Sequence, residues 1–521
     1  MALLPPILPL LLLALLAASA AGDVVPKPAP ALPPLLVVST DGLSPAEQVL
    51  LAGIQGLLNR TNAAVWLRSG GMNARILKEL QDEGLAVETV SGPWPLVDRF
   101  RDRFEGMVLG SVGDESINRA TSVAAVTRAL IVDASLAARP EFAGLPVVAD
   151  ARVLSDVELW ERFGPRFLRG HAVHQATRKT LHLRDLAVSI GMASFYDVTP
   201  EERTRRVRGL GPGTRVFGWG EDELRFVREV SRGGGAVLPA DWSLNLSALR
   251  HLPAATPSSG KPDRGSADAE EPSPLKPGER VVAFVVTDGD NLQWIGGGFV
   301  DNPGFWASPH RGGFAVTWEM APSLTEFAPR VLGHLRRTAT PLDDFVCGPS
   351  GFGYQFPRHV PDRRDAARRT GLAADAAGMR WVTVLDDGGG PDRVDEWLER
   401  PEIAGLLHKD YAPYNGHRGA VAWHAGKPAV AYRFLLWESK RGDGTLRPDW
   451  LPEGVAAGVA GLPGDNASKV SDRFALVNVH AWSFRDSGGP MGAIAKTIPL
   501  LPPGTRVVTA SGFFRLLTTN R

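Results

Sequence analysis

The chain has 521 residues, with 57 basic and 57 acidic side chains that balance to a formal net charge of zero. No block of basic residues interrupts this balance, which argues against a nucleic-acid partner. Hydrophobic residues make up 44% and charged residues 22% of the chain, as in soluble globular proteins, and the length predicts more than one domain.

Residues 1–21 have the pattern of a secretory signal peptide. An apolar run precedes the small residues Ala18, Ser19 and Ala20, and its prolines and short length favour a cleaved signal over an uncleaved membrane anchor. No later segment is long and apolar enough to span a membrane. We therefore expect a secreted or periplasmic protein with no integral membrane span after signal cleavage.

The single cysteine, Cys347, ends the apolar run DDFVC. One cysteine cannot form an internal disulfide, so we expect a buried thiol and a fold that depends on core burial. Three sequons begin at Asn59, Asn245 and Asn466. They are glycosylation acceptors only in a eukaryotic secretory route.

Residues 35–252 have the pattern of an α/β region. The apolar run LLVVST is followed by a helical pattern in which Ser44 is the N-cap, Pro45 the first helical residue and Glu47 the partner of a capping box. Further short apolar runs alternate with helical patterns, which indicates parallel sheets flanked by helices. The Pro-, Ser- and Gly-rich segment 253–279 ends this region, and we interpret it as a linker or mobile loop.

Residues 280–521 contain eight apolar runs that each end in polar or aromatic residues. This pattern predicts a (β/α)8 TIM-like barrel, with an open doubly wound sheet as the alternative. The predicted fold class is therefore α/β, with an N-terminal α/β region before a C-terminal barrel. In such a barrel the carboxyl ends of the strands meet on one face, which carries the active site.

The residues at these predicted strand ends are our candidate site. Carboxylates and aromatic rings suit sugar chemistry, because rings stack on pyranose faces and paired carboxylates act as acid and as base or nucleophile at a glycosidic bond. We assign the catalytic chemistry to Asp288, Asp290 and Glu319. The residues that we assign to substrate binding are Asn291, Gln293, Trp318, Gly351, Gly353, Tyr354, Asp386, Glu438, Asn478, His480 and Trp482.

Several of these residues fit a structural interpretation equally well. Asp288 and Asp290, in the segment TDGDN, are also typical of a turn that closes a strand or of a site for a hard cation. Glu319 is also typical of a solvated strand end, and Asp386 of the start of a loop. His480 lies within an apolar run, where a hydrogen-bonded core histidine is the alternative.

Five short segments resemble those of one family. The heptad 351–357, GFGYQFP, resembles the signature G-x-G-Y-x-Y-P, with phenylalanine at the second tyrosine position. TDGDNLQW (287–294) is similar to the family's D-G-D-N-x-Q-W segment, and VNVHAW (477–482) to its late N-x-H-x-W segment. IQGLLNR (54–60) and DWSLNLSAL (241–249) are similar to two segments of the amino-terminal part. From the order and spacing of these segments, the chain is identified as a member of the GxGYxYP family.

The resemblance implies an exported, carbohydrate-active protein with an α/β amino-terminal region and a barrel-like carboxy-terminal domain. In the heptad, we expect Gly351 and Gly353 to allow positive φ angles and close approach of the backbone to a ligand. We expect Tyr354 to present its ring and hydroxyl to a sugar. A glycine-rich turn that packs aromatic side chains into the core is the alternative.

We therefore predict a secreted glycoside hydrolase that acts on a carbohydrate substrate, a poly- or oligosaccharide, with no cofactor and no metal ligand assigned. One alternative is a non-catalytic carbohydrate-binding protein, which would keep the aromatic surface and tolerate amide replacement of the carboxylates. Another is a metal-dependent carbohydrate esterase with Asp288, Asp290 and His480 as ligands.

Overall fold

The computed structural model describes residues 34–254, 273–464 and 469–521. The signal peptide predicted at residues 1–21 lies outside the described residues, as does most of the predicted linker. Residues Pro34–Arg521 form one compact unit. In the described ranges, no helix has the length and apolar character needed to cross a bilayer.

Three small parallel sheets form the N-terminal part, in the orders β2-β1-β3, β5-β4-β6 and β10-β9-β7-β8. Their strands are β1 Leu35–Ser39, β2 Val65–Leu67, β3 Val87–Ser91, β4 Gly106–Gly110, β5 Ala129–Asp133, β6 Val147–Asp150, β7 His171–His174, β8 Ala193–Phe195, β9 Arg215–Gly218 and β10 Ala236–Leu238. The helices of this part are α1 Pro45–Leu58, α2 Gly71–Asp82, α3 Trp94–Arg99, α4 Ser116–Val126, α5 Asp156–Phe163, α6 Arg184–Ile190, α7 Pro200–Leu210, α8 Glu223–Arg232 and α9 Leu246–Leu249. Helix α1 begins at Pro45 with the Ser44–Glu47 capping box, as predicted.

The second half builds one ten-stranded sheet in the order β16-β17-β15-β14-β13-β12-β11-β19-β18, with β20 beside the start of β11. Its strands are β11 Arg280–Val286, β12 Val316–Met320, β13 Asp343–Cys347, β14 Trp381–Asp386, β15 Gly405–Asp410, β16 Val421–His424, β17 Lys427–Ala431, β18 Phe434–Leu436, β19 Phe474–Val479 and β20 Thr505–Val507. The helices of this half are α10 Leu292–Ile295, α11 Leu324–Phe327, α12 Pro329–Thr338, α13 Arg363–Ala376, α14 Asp395–Leu398, α15 Pro452–Ala460, α16 Gly489–Thr497 and α17 Ala510–Thr519. Strands β16 and β17 form an antiparallel hairpin, and the other pairs are parallel.

The mixed α/β class is confirmed, whereas the closed ring of a (β/α)8 barrel is not. The strands of the described ranges leave β16 and β18 as the two edges of an open sheet. Helix α17 packs on one face of this sheet. Its first two backbone N–H groups donate to Thr317 Oγ1 at 2.8 Å and to Asp344 Oδ2 at 2.9 Å, and Phe513 and Phe514 pack into the adjacent core.

Two of the N-terminal motif segments form one buried polar network. Gln55 Nε2 donates to Asn245 Oδ1 at 2.8 Å, and Asn59 Nδ2 donates to Ser247 Oγ at 3.0 Å. Asn59 Oδ1 also accepts two backbone N–H groups at the entry to β2, at 2.9 and 2.8 Å. The motifs IQGLLNR and DWSLNLSAL therefore join α1, β2 and α9.

The burial of individual side chains bears on the predicted sequons and on the predicted buried thiol. Asn59 and Asn245 have no exposed surface, so the folded protein does not present either sequon for glycosylation. The third sequon, at residues 466–468, lies outside the described residues. Cys347 is buried, as predicted, and burial raises the pKa of its thiol to about 12.

Replacing Asn59 with alanine is expected to lower the free energy of unfolding by about 3 kcal/mol, because several buried hydrogen-bond partners lose their contacts at once. Urea unfolding followed by tryptophan fluorescence measures this change. Asn62→Ala is the matched control, since the Asn62 side chain accepts a hydrogen bond at the surface from Thr61. A loss no larger for Asn59→Ala than for the control would contradict the role of the network.

Candidate active site

A cavity of about 290 Å³ opens at the carboxyl ends of the strands of the ten-stranded sheet. Its lining residues are Trp219, Glu223, Thr287, Asp288, Asp290, Asn291, Glu319, Pro349, Tyr354, Leu385, Lys409, Tyr414, Asn478, His480 and Trp482. They come from the ends of strands β11 to β15 and β19 and from the N-terminal part. Six adjacent strands of a flat sheet would span about 24 Å. Their meeting at one small cavity therefore requires the sheet to curl around it.

Strand β11 ends in the turn TDGDN, which brings Asp288 and Asp290 to the cavity. Asp288 adopts a left-handed conformation, with φ of 69°, and its Oδ1 accepts a hydrogen bond from Trp482 Nε1 at 3.3 Å. Gly289 is required beside it, because a Cβ at this position would lie 1.4 Å from the carbonyl oxygen of Glu319. A non-glycine residue held at positive φ costs about 1–3 kcal/mol, and such strain often accompanies a functional site.

Asp290 is buried beside two other carboxylates. Burial raises the pKa of Asp290 well above its ordinary range, and the negative charges of Asp288 and Glu319 raise it further. The ammonium group of Lys409 lowers this pKa, but its influence is smaller. The surroundings of Asp290 therefore favour the protonated acid.

Glu319 faces the cavity from β12 and forms a buried ion pair. Its Oε1 lies 3.4 Å from Lys409 Nζ, and its Oε2 accepts the backbone N–H of Asp288 at 3.2 Å. Burial raises the pKa of Glu319, and Lys409 opposes this effect by stabilising the carboxylate. Asp290 and Glu319 thus differ in their partners, since the Lys409 ammonium group and the Asp288 backbone N–H both contact Glu319.

The GxGYxYP heptad joins the N-terminal part to the cavity. Val237 of β10 and Tyr354 exchange two backbone hydrogen bonds of 2.8 Å, which form an isolated antiparallel bridge. The Tyr354 hydroxyl donates to Glu223 Oε1 at 2.9 Å, at the start of α8. Burial raises the pKa of Glu223, and Tyr354 lowers it through this hydrogen bond. The N-terminal part therefore supplies a further carboxylate to the site.

Strand β19 contributes an imidazole and an aromatic surface. The ring of His480 stacks on Trp437 at 4.0 Å and 7°, and its Nδ1 lies 3.1 Å from Ser483 Oγ. Burial lowers the pKa of His480, while the charge of Asp288 raises it. Trp482 is 37% exposed, so part of its ring is open to a ligand.

Comparison with known proteins adds the family. Residues 279–518 match the model described as "GxGYxYP putative glycoside hydrolase C-terminal domain", and residues 34–102 match that described as "GxGYxYP_N 1st domain". The chain belongs to the GxGYxYP family. Among solved structures, the crystal structure of a putative hydrolase from Bacteroides thetaiotaomicron VPI-5482 is similar, with a TM-score of 0.81 and 25% identity over 94% of this chain and 95% of that chain. A comparison with curated proteins gives no match.

The fold of this GxGYxYP protein brings the three proposed catalytic residues to one cavity, together with some of the proposed substrate contacts. The predicted residues that line it are Asp288, Asp290, Asn291, Glu319, Tyr354, Asn478, His480 and Trp482. The predicted residues that do not line it are Gln293, Trp318, Gly351, Gly353, Asp386 and Glu438. The catalytic and binding roles of the residues that line the cavity stay predictions.

Strand alternation explains one of the misplaced residues. Trp318 and Glu319 are neighbours on β12 and therefore face opposite sides of the sheet. Trp318 is 1% exposed, and its Nε1 donates to Asp343 Oδ1 at 2.9 Å. A ring buried in this way has no face open for a sugar.

The heptad glycines approach protein and not a ligand. Gly351 has φ of 109°, and a Cβ there would lie 2.1 Å from the Thr370 side chain. A Cβ on Gly353 would lie 2.9 Å from Ala236 Cβ, so this glycine permits the close approach to β10.

The three remaining side chains hold neighbouring segments. Asp386 accepts the backbone N–H of Arg358 at 3.0 Å, and Glu438 accepts that of Phe484 at 3.0 Å. Gln293 donates to Asn291 Oδ1 at 3.2 Å and so acts on the cavity through Asn291.

Sequence reasoning missed several residues that line the cavity. They are Trp219, Glu223, Thr287, Pro349, Leu385, Lys409 and Tyr414. For Lys409 a signal was present, since a lysine inside the buried run GLLHKD of β15 needs a partner. Glu223 gave none, because its position at the cavity depends on how the N-terminal part packs.

Proposed function

We propose that the protein is a glycoside hydrolase that cleaves a glycosidic bond in a poly- or oligosaccharide. The observation that carries this proposal is the convergence of Asp288, Asp290, Glu319 and Glu223 with Lys409 in a cavity that also has aromatic walls. Paired carboxylates with different surroundings perform glycoside hydrolysis, one as the proton donor and one as the nucleophile or base. The description of the C-terminal family model supports the same class of reaction.

In this proposal Asp290 is the general acid, because its surroundings favour the protonated form. Glu319 is the nucleophile or general base, since Lys409 and a backbone N–H stabilise its charge. Asp288 stabilises positive charge that develops on the sugar ring and holds Trp482 through their hydrogen bond. These roles assign proton donation and charge stabilisation to different carboxylates of one cavity.

Aromatic walls supply the binding surface for the sugar. The rings of Trp219, Tyr414 and Trp482 line the cavity, and flat rings of this kind pack against the apolar faces of pyranoses. The Glu223–Tyr354 pair offers a carboxylate to sugar hydroxyl groups. The site therefore combines stacking surface with hydrogen-bond acceptors.

The direct test incubates purified protein with a broad panel of plant, algal and host glycans and measures released reducing ends. The Asp290→Asn variant, purified in the same way, controls for contaminating hydrolases. Release by the wild type and not by the variant is the expected result. Glycan binding by both proteins without release would overturn hydrolysis and favour a carbohydrate-binding protein.

Replacing Glu223 with glutamine is expected to lower kcat/KM by about 10-fold, because one acceptor for a substrate hydroxyl is lost while the acid and the nucleophile stay. Steady-state kinetics on a substrate identified in the panel measures this change. Glu221→Gln is the matched control, since the Glu221 side chain is 77% exposed. Equal kcat/KM values for the two variants would contradict a role of Glu223 in substrate binding.

We also propose that the protein is exported. The proposal depends on the signal-peptide pattern of residues 1–21. Mass spectrometry of the mature protein from an export-competent host tests it, and retention of Met1 and the following apolar run would contradict it.

A further inference from the structure

A second cluster of potential ligands lies at the carboxyl end of β15. His408, Asp410 and His417 each offer one ligand atom, and these atoms lie within 4.8 Å of one another. His408 and Asp410 alternate with Lys409 on the strand and therefore project from the face of the sheet opposite to the one that carries the ion pair with Glu319. The cluster is thus separate from the carboxylates proposed for catalysis.

The cluster contains buried polar atoms that the protein does not satisfy. His408 is 1% exposed, and neither of its ring nitrogens has a hydrogen-bond partner in the described ranges. Asp410 is 7% exposed, and its Oδ1 also has no such partner there. An unpaired buried polar group costs about 1–3 kcal/mol, so several in one cluster require an explanation such as a bound ion.

The loop after β15 completes the cluster. His417 Nδ1 lies 2.7 Å from Asp410 Oδ2, and the rings of His408 and His417 are nearly perpendicular, at 84°. Gly390 leaves room for the His417 ring, because a Cβ there would lie 2.6 Å from His417 Nε2, and its φ of 79° favours glycine. The neighbouring loop is therefore shaped to admit this imidazole.

We propose that His408, Asp410 and His417 bind a divalent transition-metal ion, for which Zn²⁺ is the best match, and that the ion fixes the loop 411–416. Two imidazoles and one carboxylate are a common protein ligand set for Zn²⁺, whereas Ca²⁺ and Mg²⁺ prefer oxygen ligands. The ion accepts lone pairs from His408 and Asp410 that have no partner otherwise. Because Tyr414 lies between the ligands in sequence and lines the cavity, the ion holds one wall of the proposed active site.

The test uses the full-length protein after removal of metal with a chelator. Titration calorimetry with Zn²⁺ is expected to show one tight equivalent, and elemental analysis after dialysis to show one bound ion per chain. His417→Ala and Asp410→Asn are each expected to weaken Zn²⁺ binding by at least about 10-fold. His424→Ala is the matched control, because His424 also lies beside carboxylates, 3.5 Å from Asp395 and 3.6 Å from Glu399, but is not part of the cluster.

Lack of Zn²⁺ binding by the stripped wild type, or equal affinity in the wild type and both cluster variants, would overturn the proposal. A loss of affinity in His424→Ala alone would likewise overturn it. His417 is exposed, so His417→Ala keeps the test valid if Asp410→Asn does not fold. Circular dichroism of each variant verifies folding.

A second measurement tests the effect on the loop and does not depend on catalysis. Zn²⁺ is expected to slow proteolytic cleavage within 411–416 in the wild type and not in His417→Ala. Equal cleavage rates with and without Zn²⁺ in a wild type that binds one ion would overturn the positioning of Tyr414. These readouts use Zn²⁺ and protease alone, so failure of the glycosidase proposal would leave their outcome unchanged.

Discussion

The Asp290→Asn variant is expected to lose about 10³-fold in kcat/KM, which reports cleavage of the glycosidic bond, on a substrate with a sugar leaving group, because an amide cannot donate the proton that the leaving oxygen needs. On an aryl glycoside with an acidic phenol as leaving group, the expected loss is about 10-fold or less, since that oxygen departs without protonation. Steady-state kinetics on both substrates measures the two losses. Equal losses on the two substrates would contradict the assignment of Asp290 as the acid.

Asp290→Asn is expected to lower activity without lowering the stability of the fold. The pKa of Asp290 lies above its ordinary value of 3.8, so the folded protein holds this proton more tightly than the unfolded chain does. The free energy of unfolding is therefore highest below that ordinary value and falls as the pH rises towards the raised pKa. Asparagine lacks this penalty, and we expect the Tm of the variant at neutral pH to equal or exceed that of the wild type. Asp301→Asn, at a surface ion pair with Arg75, is the control for both measurements.

The predicted residues that the fold brings to the cavity are those whose position one local segment determines. In TDGDN, a buried strand ends at a turn that needs Gly289, so Asp288 and Asp290 must emerge together at the strand end. The segment VNVHAW behaves in the same way, because alternation on β19 puts Asn478 and His480 on the same face. The capping box at α1 is another local pattern, and it too has the predicted geometry.

The two-residue period of a strand separates Trp318 from Glu319, because adjacent strand positions face opposite sides of the sheet. The prediction that both line one site therefore holds only for Glu319. On β15 the same rule separates Lys409, which reaches the cavity, from His408 and Asp410 on the other face. The alternation of side chains along a strand is thus enough to separate Trp318 from the cavity and to explain why Lys409 reaches it.

Other features depend on contacts that no local pattern encodes. The hydrogen bond between Tyr354 and Glu223 joins residues 131 positions apart, and it follows from the bridge between the heptad and β10. The predicted barrel requires the strands formed by the eight apolar runs to close into a ring. Helix α17 instead packs against the face of the open sheet, held by Thr317 and Asp344. The number of apolar runs in a sequence does not show whether the strands close into a barrel or stay an open sheet covered by a helix.

The Lys409→Met variant is expected to lower kcat at neutral pH by about 10²-fold, because it removes the cation that stabilises the Glu319 carboxylate. Loss of a nearby positive charge favours the protonated form of an acid and raises its pKa. Lys409 lowers the pKa of both Glu319 and Asp290, so both values are expected to rise in the variant. The pH–rate profile measures these values for the free enzyme through kcat/KM.

Both limbs of that profile are expected to move to higher pH. The acidic limb follows deprotonation of Glu319 and the alkaline limb follows loss of the Asp290 proton, so the pH optimum shifts upward and part of the activity returns in alkaline buffer. Lys409→Arg retains the charge and is expected to keep the optimum of the wild type, which separates charge from packing. Lys427→Met is the control for a lysine that lies outside the cavity and donates to the carbonyl oxygen of Arg400. An unchanged or lowered optimum in Lys409→Met would contradict the ion pair as the source of the Glu319 charge, because no other lysine or arginine of the described residues lines the cavity.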